Sequence, residues 1–371
     1  MDMCMIIFSV VSSWLLSSAA SGRLGTQSGP QIPVMVTNGF LEPNKFFENH
    51  VVPGIPVVFK GAATDFPAYS KWTDEYLKNL PESDITFVEA EIGKKENRAD
   101  GVKESTFKEF LNSYKSEDIY LVESVPEFLR KDLPIYRSLN CEFAKNIISD
   151  IVMWFSSGGT RSVWHNDSYE NINCLLRGRK ELILADKRET KEGVHLDVHD
   201  GKYSTVDVDD VDEERYPNFK HVQFYNATIE AGDCVYIPHM WFHYVASYEI
   251  NLAINVWWTV HKSPFDCPEL PPNTLDTVTL RELEGDYPKM KLSEELHQVL
   301  YNDDIMYTSD VLSLDNFLKI VQTYPHGLTD DFLVRLFELL DGNRDYLLNY
   351  VELDNLPRVM ERFLLTLHDE L

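Results

Sequence analysis

The sequence predicts a mainly β fold, a barrel or double-sheet sandwich, with helices before it and an α-helical lobe after it. Many short strand patterns separated by turn signals fill residues 151–260, which is typical of an antiparallel barrel or sandwich rather than a parallel sheet. Beyond the proline-rich linker 263–273 the apolar residues take helical spacing. At 371 residues and 44% hydrophobic side chains, the chain is long enough for one large and one smaller domain.

Helices and short strands alternate before the barrel. The segment FLEPNKFFENH predicts a helix, IPVVFKG a buried strand, and Thr73 the start of a second helix. Between residues 84 and 150 the sequence predicts the strand ITFVEAEIG, the helix TFKEFLNSYKS, the strand IYLVES and a helix toward Ile148. We expect these elements to support the barrel.

The stretch from Ser162 to Lys180 carries the residues best suited to chemistry. Side chains two apart in a strand point to the same face, so His165 and Asp167 present an imidazole and a carboxylate to one spot. His243, in the downstream segment AGDCVYIPHMWFHYV, is a third candidate ligand. Two histidines and one carboxylate on one face of a metal, with the opposite positions open, are typical of non-haem Fe(II) oxygenases.

Lys180 supplies the second half of this hypothesis. Residues 177–179 indicate a turn between the apolar strands NINCLL and ELILAD, which places Lys180 on the same face as Leu182 and Leu184. We expect that face to be internal. Because a buried lysine is costly without an anion, the distal carboxylate of a keto-acid cosubstrate would suit it.

This pattern resembles the JmjC-type oxygenases that depend on Fe(II) and 2-oxoglutarate. The likeness is greatest to the small hydroxylase branch that includes the asparaginyl hydroxylase of hypoxia-inducible factor, and it runs from about Phe40 to about Trp258. It implies a double-stranded β-helix, or jelly-roll, over residues 40–262. It also implies that 2-oxoglutarate is decarboxylated to succinate while one oxygen atom enters a C–H bond, with a protein side chain as the expected acceptor.

The resemblance also implies roles for individual residues. Lys180 matches the lysine that binds 2-oxoglutarate in that family. Ser162 stands where the family has a threonine that contacts the same cosubstrate carboxylate. Asn171 and Asn255 match asparagines near the iron and cosubstrate. The implied iron ligands are His165, Asp167 and His243.

Two other functions stay open. The barrel could be a catalytically silent scaffold that binds calcium. A lysine demethylase is the third hypothesis, disfavoured by the expected compartment, by the charge and by the absence of a reader domain.

The two ends of the sequence indicate a compartment. An apolar run followed by small residues predicts a signal peptide over residues 1–22, too short to span a bilayer, and residues 23–39 are expected to be a flexible leader. Residues 368–371 read HDEL, a retrieval signal for the endoplasmic reticulum. We therefore expect residence in its lumen, no membrane span, the retrieval receptor as a partner and a secretory-pathway protein as substrate.

Four cysteines remain after removal of the signal peptide, which allows three full pairings and assigns none. For Cys174 and Cys234 a bridge and buried free thiols both remain open. Asn226 is the plausible acceptor for a glycan, because the other sequon lies between two iron ligands. The four cysteines are Cys141, Cys174, Cys234 and Cys267.

The formal charge of −26 opposes binding to a polyanion and supplies no basic stripe for nucleic acid. Residues 207–214 alone hold six carboxylates. A solvated loop is one interpretation of this segment. A rim that attracts a basic substrate is the other.

The helical region 274–367 contains an EF-hand-like calcium loop from Asp341 to Glu352. Tyr346 stands where glycine normally makes the sharp turn. The upstream segment LSLDNFL repeats the loop-exit pattern without acidic ligands, which predicts a pair with one degenerate member; a purely structural helical lobe is the alternative. The expected calcium ligands are Asp341, Asn343, Asp345, the Leu347 carbonyl, Asn349 and Glu352.

Overall fold

The computed structural model describes most of the chain between residues 31 and 360. The described ranges are 31–94, 101–141, 148–186, 203–258, 279–283, 311–322 and 329–353, with residues 296, 300, 355–356 and 359–360. The predicted signal peptide, the linker 263–273, Cys267 and the HDEL ending lie outside these ranges, as does most of the helix predicted toward Ile148.

Eleven strands of the described residues form one mixed sheet, and two more form a separate ribbon. The strands are β1 (Ile32–Pro33), β2 (Met35–Asn38), β3 (Val57–Lys60), β4 (Phe87–Ile92), β5 (Val102–Thr106), β6 (Ile119–Ser124), β7 (Ile148–Ser156), β8 (Glu170–Ala185), β9 (Tyr225–Glu230), β10 (Cys234–Ile237), β11 (Phe242–Trp258), β12 (Val311–Ser313) and β13 (Leu347–Asn349).

Short helices accompany this sheet, and none in the described part of the chain is long and apolar enough to cross a membrane. The α-helices are α1 (Pro43–Phe46), α2 (Pro67–Lys71), α3 (Asp74–Lys78), α4 (Phe107–Ser113), α5 (Glu127–Arg130), α6 (Leu314–Gln322), α7 (Asp330–Leu340) and α8 (Tyr350–Leu353). A π-helical turn, Phe47–Val51, continues α1, and 3₁₀ turns lie at Pro81–Asp84, Arg137–Leu139, Phe219–His221 and Leu280–Leu283.

Strands β8 and β11 are the centre of the barrel and pair antiparallel along almost their whole length. The first half of β8 also pairs with β10, and its second half pairs with β9. On the far side, β11 pairs with β7, which leads through β6 and β4 to β5. Because each half of β8 has its own neighbour, the sheet branches at β8, which is consistent with the predicted mainly β jelly-roll.

The turn predicted at residues 177–179 is wrong, because β8 runs through it as one bent strand. Gly178 makes the bend with φ +84°, and a Cβ there would lie 2.7 Å from the Ile250 carbonyl oxygen. Gly158 is a second position of close approach, since a Cβ there would lie 1.9 Å from the Glu249 carbonyl oxygen. Strand β11 continues alongside on both sides of the bend, so the backbone of β8 stays paired without reversing.

The flexible leader predicted over residues 23–39 is wrong for residues 32–38. Strand β1 pairs parallel with β9, and β2 pairs parallel with β3 at the edge of the sheet. Met35 and Val36 are exposed, so the segment carries no burial pattern by which the sequence could reveal it. The sequon residue Asn226 donates its side-chain amide to Gln31 and lies opposite Pro33, which places this sequon beside the N-terminal strand.

The helices before the barrel begin where their caps predict. The Thr73 hydroxyl accepts a hydrogen bond from the Tyr76 amide at the start of α3, and Thr106 forms a capping box with Glu109 at the start of α4. The Arg177 guanidinium, beside the bend of β8, binds the Asp74 carboxylate at 2.6 Å. This ion pair fastens the helical support to the central strand.

Cys174 and Cys234 form a disulfide, so the alternative of two free thiols is wrong for this pair. They lie directly opposite each other on β8 and β10, and both are fully buried in the main core. Cys141 is disulfide-bonded as well. A cross-link between residues 60 apart in the sequence contributes about 2–4 kcal/mol, mainly by restricting the unfolded chain.

The C-terminal lobe has a core of its own. Strands β12 and β13 pair antiparallel with Leu312 opposite Leu348, so the two repeated loop-exit segments lie side by side. Helix α7 leads into the loop before β13, and α8 follows that strand. One barrel residue, Met240, also belongs to this core, whose buried members are Leu296, Leu300, Leu312, Phe317, Ile320, Val321, Leu333, Leu336, Phe337, Leu340, Leu348, Leu353, Leu356 and Met360.

Candidate active site

Two histidines face each other at one end of the barrel. The His165 amide donates to the His243 carbonyl at 3.2 Å, and the His243 amide donates to the His165 carbonyl at 2.7 Å. Residues paired in this way project their side chains to the same face of the sheet. Their imidazole centroids are accordingly 4.2 Å apart.

Asp167 completes a three-residue cluster. Its carboxylate oxygens lie 4.0 Å from His165 Nε2 and 3.5 Å from His243 Nε2. The ligating atoms of the three residues all lie within 4.8 Å of one another, and this is the one such group of histidine, cysteine and acidic residues among the described residues. Two imidazoles and a carboxylate on one side of a common centre leave the other side open for additional ligands.

The second nitrogen of each imidazole has a backbone partner. His165 Nδ1 lies 2.9 Å from the Val163 carbonyl oxygen, and His243 Nδ1 lies 3.0 Å from the Trp241 carbonyl oxygen. A carbonyl oxygen only accepts, so each Nδ1 carries the proton and each Nε2 keeps its lone pair for a metal. The donor set therefore fits a divalent transition metal.

The cluster lies in the wall of a pocket with a volume of about 560 Å³, its open mouth included. Every residue that the sequence assigned to iron or cosubstrate lines this pocket. The pocket also contains residues that the sequence did not indicate, among them Asn173, Trp154 and Arg161. The predicted residues gathered here are Ser162, His165, Asp167, Asn171, Lys180, His243 and Asn255.

Lys180 is a buried cation of the pocket. Its side chain is 4% exposed, and its ammonium lies 5.8 Å from the centroid of the Trp154 ring. No carboxylate in the described part of the chain pairs with it, and desolvation by burial lowers the pKa of Lys180 to about 7. A buried cation in a pocket without its own anion favours an anionic ligand there.

Three asparagines form a connected chain across the pocket wall. Asn173 Nδ2 donates to Asn255 Oδ1 at 2.5 Å, and Asn255 Nδ2 donates to Asn171 Oδ1 at 3.1 Å. Sequence spacing contained a signal for Asn173, which lies two residues from Asn171 on the same strand face. Ser162 Oγ accepts from the Val245 amide at 2.9 Å, which holds its hydroxyl at the pocket edge.

Two further residues position the centre and had no local signal in the sequence. The Tyr203 ring stacks on the His165 ring at 5.7 Å and 15°. The buried Glu170 carboxylate accepts from the Tyr236 hydroxyl at 2.5 Å and from the His239 amide at 3.0 Å. These contacts join segments that are distant in sequence, so spacing alone could not indicate them.

The proposed calcium residues lie far along the chain in the C-terminal lobe. Asp341 accepts from the amides of Asp345 at 3.1 Å and Tyr346 at 2.9 Å, and Glu352 accepts from the Asn349 amide at 3.1 Å. Asn343 Oδ1 also accepts from the Asp345 amide at 2.9 Å, and Leu347 begins β13. Among the described residues, these carboxylates do not form a metal-sized cluster like that in the barrel.

Comparison with known proteins agrees with this architecture. A family model described as a cupin-like domain matches residues 43–263, more than half of the chain. The barrel and its two-histidine, one-carboxylate centre thus define a cupin-like domain protein. The chain belongs to the JmjC oxygenase family within that class.

Similar proteins carry names from more than one activity. Lysine-specific demethylase 8 of Xenopus tropicalis is 28% identical over 229 residues, which are 58% of this chain and 50% of that protein. Lysine-specific demethylase JMJ30 of Arabidopsis thaliana is 27% identical, over 58% of this chain and 52% of that protein. The tRNA wybutosine-synthesizing protein 5 of Gallus gallus is 31% identical, over 55% of this chain and 70% of that protein. The chain thus spans about half the length of the two demethylases.

Replacing Lys180 with methionine tests the anion site. We expect 2-oxoglutarate binding to weaken by about 2–5 kcal/mol, roughly thirty-fold or more, because one partner of a buried charge pair is lost. Since the free lysine has a pKa of about 7 and a bound carboxylate raises it, binding to the unchanged protein should take up a proton and weaken as pH rises above 7. Calorimetry in buffers of different ionisation enthalpy measures both effects.

The exposed residue Lys131 provides the matched control, and Lys131→Met should bind like the unchanged protein. The ligand-free Lys180→Met protein should also melt at a higher temperature at pH 7, because a buried cation is removed. Unchanged 2-oxoglutarate affinity in Lys180→Met would contradict the assignment.

Proposed function

We propose that this protein is an Fe(II)- and 2-oxoglutarate-dependent oxygenase that hydroxylates a protein side chain. One observation carries the proposal: a three-ligand centre and a buried lysine that pairs with no carboxylate of the described residues line the same pocket. The centre suits iron, and the lysine suits a dicarboxylate that would also reach the metal. Either feature alone would be compatible with a structural role.

Bound iron and 2-oxoglutarate would supply the oxidative chemistry. One atom of O₂ would enter a C–H bond of the substrate, and the other would enter succinate as 2-oxoglutarate loses CO₂. The protein supplies orientation. The Val163 and Trp241 carbonyls fix the imidazole tautomers. The Lys180 ammonium and the Ser162 hydroxyl would hold the distal carboxylate, and Asn171, whose carbonyl is occupied by Asn255, has its amide N–H groups to donate.

A polypeptide is the substrate class that the charge supports best. A chain of net charge −26 repels nucleic acid, which weighs against the tRNA in the name of one relative. Arg161 lines the pocket and pairs at 2.6 Å with Asp209 of the acidic segment 207–214, so that segment reaches the pocket mouth. A basic or neutral peptide would approach this rim more readily than a polyanion.

Lysine demethylation, named in two relatives, is the alternative for the same centre. Both reactions insert oxygen into a C–H bond, but a hydroxylated N-methyl group is lost as formaldehyde. Mass spectrometry of lumenal proteins with and without the enzyme separates them. A gain of one oxygen supports hydroxylation, and loss of a methyl group with release of formaldehyde supports demethylation.

Removing the Asp167 carboxylate should abolish turnover. We expect the purified protein to convert 2-oxoglutarate slowly to succinate without substrate, and Asp167→Ala to lose this activity because the three-residue centre loses its carboxylate ligand. Succinate release in the presence of iron, ascorbate and oxygen measures this turnover. Asp65→Ala, an exposed position in a turn, is the matched control. Iron-dependent turnover in Asp167→Ala would refute the assignment, and an inactive parent protein would favour the scaffold alternative.

We also propose that the protein resides in the lumen of the endoplasmic reticulum. The signal-like start and the HDEL ending support this address, and the retrieval receptor is the implied partner. The Cys174–Cys234 disulfide adds support, since structural disulfides are rare where glutathione keeps thiols reduced.

Deleting residues 368–371 should convert a retained protein into a secreted one, because a receptor reads this ending. Immunoblotting of cell and medium fractions measures the change. A variant that ends in the same residues in scrambled order controls for chain length. Retention of the truncated, folded protein inside the cell would show that another signal holds it.

The C-terminal lobe is proposed to bind calcium in an EF-hand-like loop. The loop residues Asp341 and Glu352 already accept hydrogen bonds from the loop backbone, and Tyr346 takes the left-handed conformation usually taken by glycine, with φ +65°. The single acid-rich loop suggests weak binding, with Kd on the order of 10⁻⁴ to 10⁻³ M. Such a site would be filled only where calcium is abundant.

Calcium should therefore raise the melting temperature of the full chain, since binding to the folded state alone stabilises it. Glu352→Gln should abolish this rise while keeping side-chain shape, because the loop loses its bidentate carboxylate. The exposed Glu338→Gln on α7 is the matched control and should respond like the parent protein. Identical melting with and without calcium in all three proteins would leave a purely structural lobe.

A further inference from the structure

We propose that Met240 is a positioning residue through which the C-terminal lobe sets the geometry of the metal centre. The inference rests on the proposed function, because it concerns how the chain holds its metal ligands. It assigns a role in the active site to a lobe whose sequence contributes none of the predicted iron ligands. Four observations carry it.

The side chain of Met240 belongs to the lobe, whereas its neighbours belong to the barrel. Met240 is 4% exposed and is part of the buried apolar cluster formed by residues of the C-terminal lobe. The next residue, Trp241, is buried in a barrel cluster together with Leu182 and Leu184. The short segment 238–241 therefore lies at the boundary between the two cores.

The backbone of the same segment is bonded to the metal ligands. The Met240 amide donates to the Asp167 carbonyl at 2.8 Å. The Trp241 carbonyl accepts from His243 Nδ1 at 3.0 Å. Residues 240 and 241 thus fix two of the three ligands, one through its main chain and one through its ring.

A third bond ties the segment to the start of β8. The His239 amide donates to Glu170 Oε2 at 3.0 Å, and the same oxygen accepts from the Tyr236 hydroxyl. The amides of His239 and Met240 are therefore bonded to Glu170 and Asp167, which lie on either side of Ser168 and Tyr169. A shift of Met240 would be transmitted to the segment before β8 that carries Asp167.

Met240 also adopts a backbone conformation that its side chain opposes. Its φ is +61°, a left-handed region that non-glycine residues rarely adopt because their side chains crowd the backbone there. Such a conformation persists only when surrounding contacts enforce it, and glycine would adopt it freely. The side chain is thus retained at an energetic cost, which indicates that its packing in the lobe holds the segment in place.

The consequence is a linkage between the lobe and metal binding. If the lobe contact is lost, the segment relaxes, Asp167 and His243 no longer share one fixed geometry, and metal affinity falls. By reciprocity, a bound metal must stabilise the contact that supports its site. The linkage requires only packing, so it does not depend on calcium.

Cobalt(II) binding to the full-length protein tests this inference, read out as visible absorption and as a dissociation constant. We expect Met240→Leu to bind within about twofold of the parent, because leucine preserves the volume. Met240→Ala and Met240→Gly should bind at least tenfold more weakly. The glycine variant is decisive, because it removes the strain together with the side chain, so equal or tighter binding would overturn the proposal.

Met360→Ala is the matched control, because Met360 is fully buried in the same lobe core and is absent from the pocket lining. It should lower the melting temperature yet keep cobalt affinity. Equal weakening by Met360→Ala and Met240→Ala would overturn the proposal in favour of general lobe stability. Failure of the parent protein to bind cobalt would refute the metal assignment itself, which separates the two failures.

Hydrogen exchange supplies a readout that does not depend on the absorption of the centre. Cobalt should slow amide exchange in α6 and α7 of the parent protein and of Met240→Leu, since the metal stabilises the lobe contact. In Met240→Gly this protection should disappear at saturating cobalt. Protection that persists in the glycine variant would contradict a linkage through Met240.

Discussion

The exchange of backbone hydrogen bonds between His165 and His243 is the constraint on which the site depends. These residues are distant in sequence, and only an antiparallel register brings their imidazoles to one face. On the same edge of β11 this pairing is followed by the ladder with β7, where Asn251 lies opposite Ser156, while the other edge of β11 pairs with β8. A slip of one residue would turn His243 into the opposite face and separate it from Asp167. The barrel thus determines the metal geometry through strand register.

The same strands carry a buried charge, that of Lys180, which destabilises the ligand-free protein and which an anionic ligand would neutralise. Lys180 is paired with Ser247 of β11 and faces the pocket, where burial lowers its pKa to about 7. The fold tolerates this cation because the surrounding structure is firmly held: β8 is cross-linked to β10 through Cys174 and Cys234, and Arg177 binds Asp74. A site prepared for an anion therefore coexists with a stable barrel, and binding energy can be used for orientation rather than for folding.

Sequence reasoning succeeded where the information is local. The cap at Thr73 and the strand IYLVES depend on neighbouring residues. The spacing of His165 and Asp167 also predicted that their side chains meet, although the structure has an isolated bridge at His165 and no strand through Asp167. It failed where tertiary contacts decide. Residues 177–179 look like a turn, yet β11 keeps them in one bent strand; β1 and β2 have exposed apolar side chains and become strands only through pairing. Tyr203 and Glu170 had no local signal, because their roles depend on partners that are distant in sequence.

Three of the four non-glycine residues with positive φ among the described residues lie at the two sites, Met240 at one and Arg344 and Tyr346 at the other, and different forces hold them there. Met240 and Tyr346 are both non-glycine residues with positive φ, one beside the metal centre and one in the proposed calcium loop. Met240 is buried, so apolar packing holds it, and packing is insensitive to ions and salt. Tyr346 is 81% exposed, and its conformation depends on the bond from its amide to Asp341. The metal centre is therefore supported by a core that persists under changing ionic conditions, whereas the loop rests on charged groups whose geometry a cation would change. If both proposed sites bind their metals, their separation would let one chain keep a permanent metal site beside a conditional calcium site.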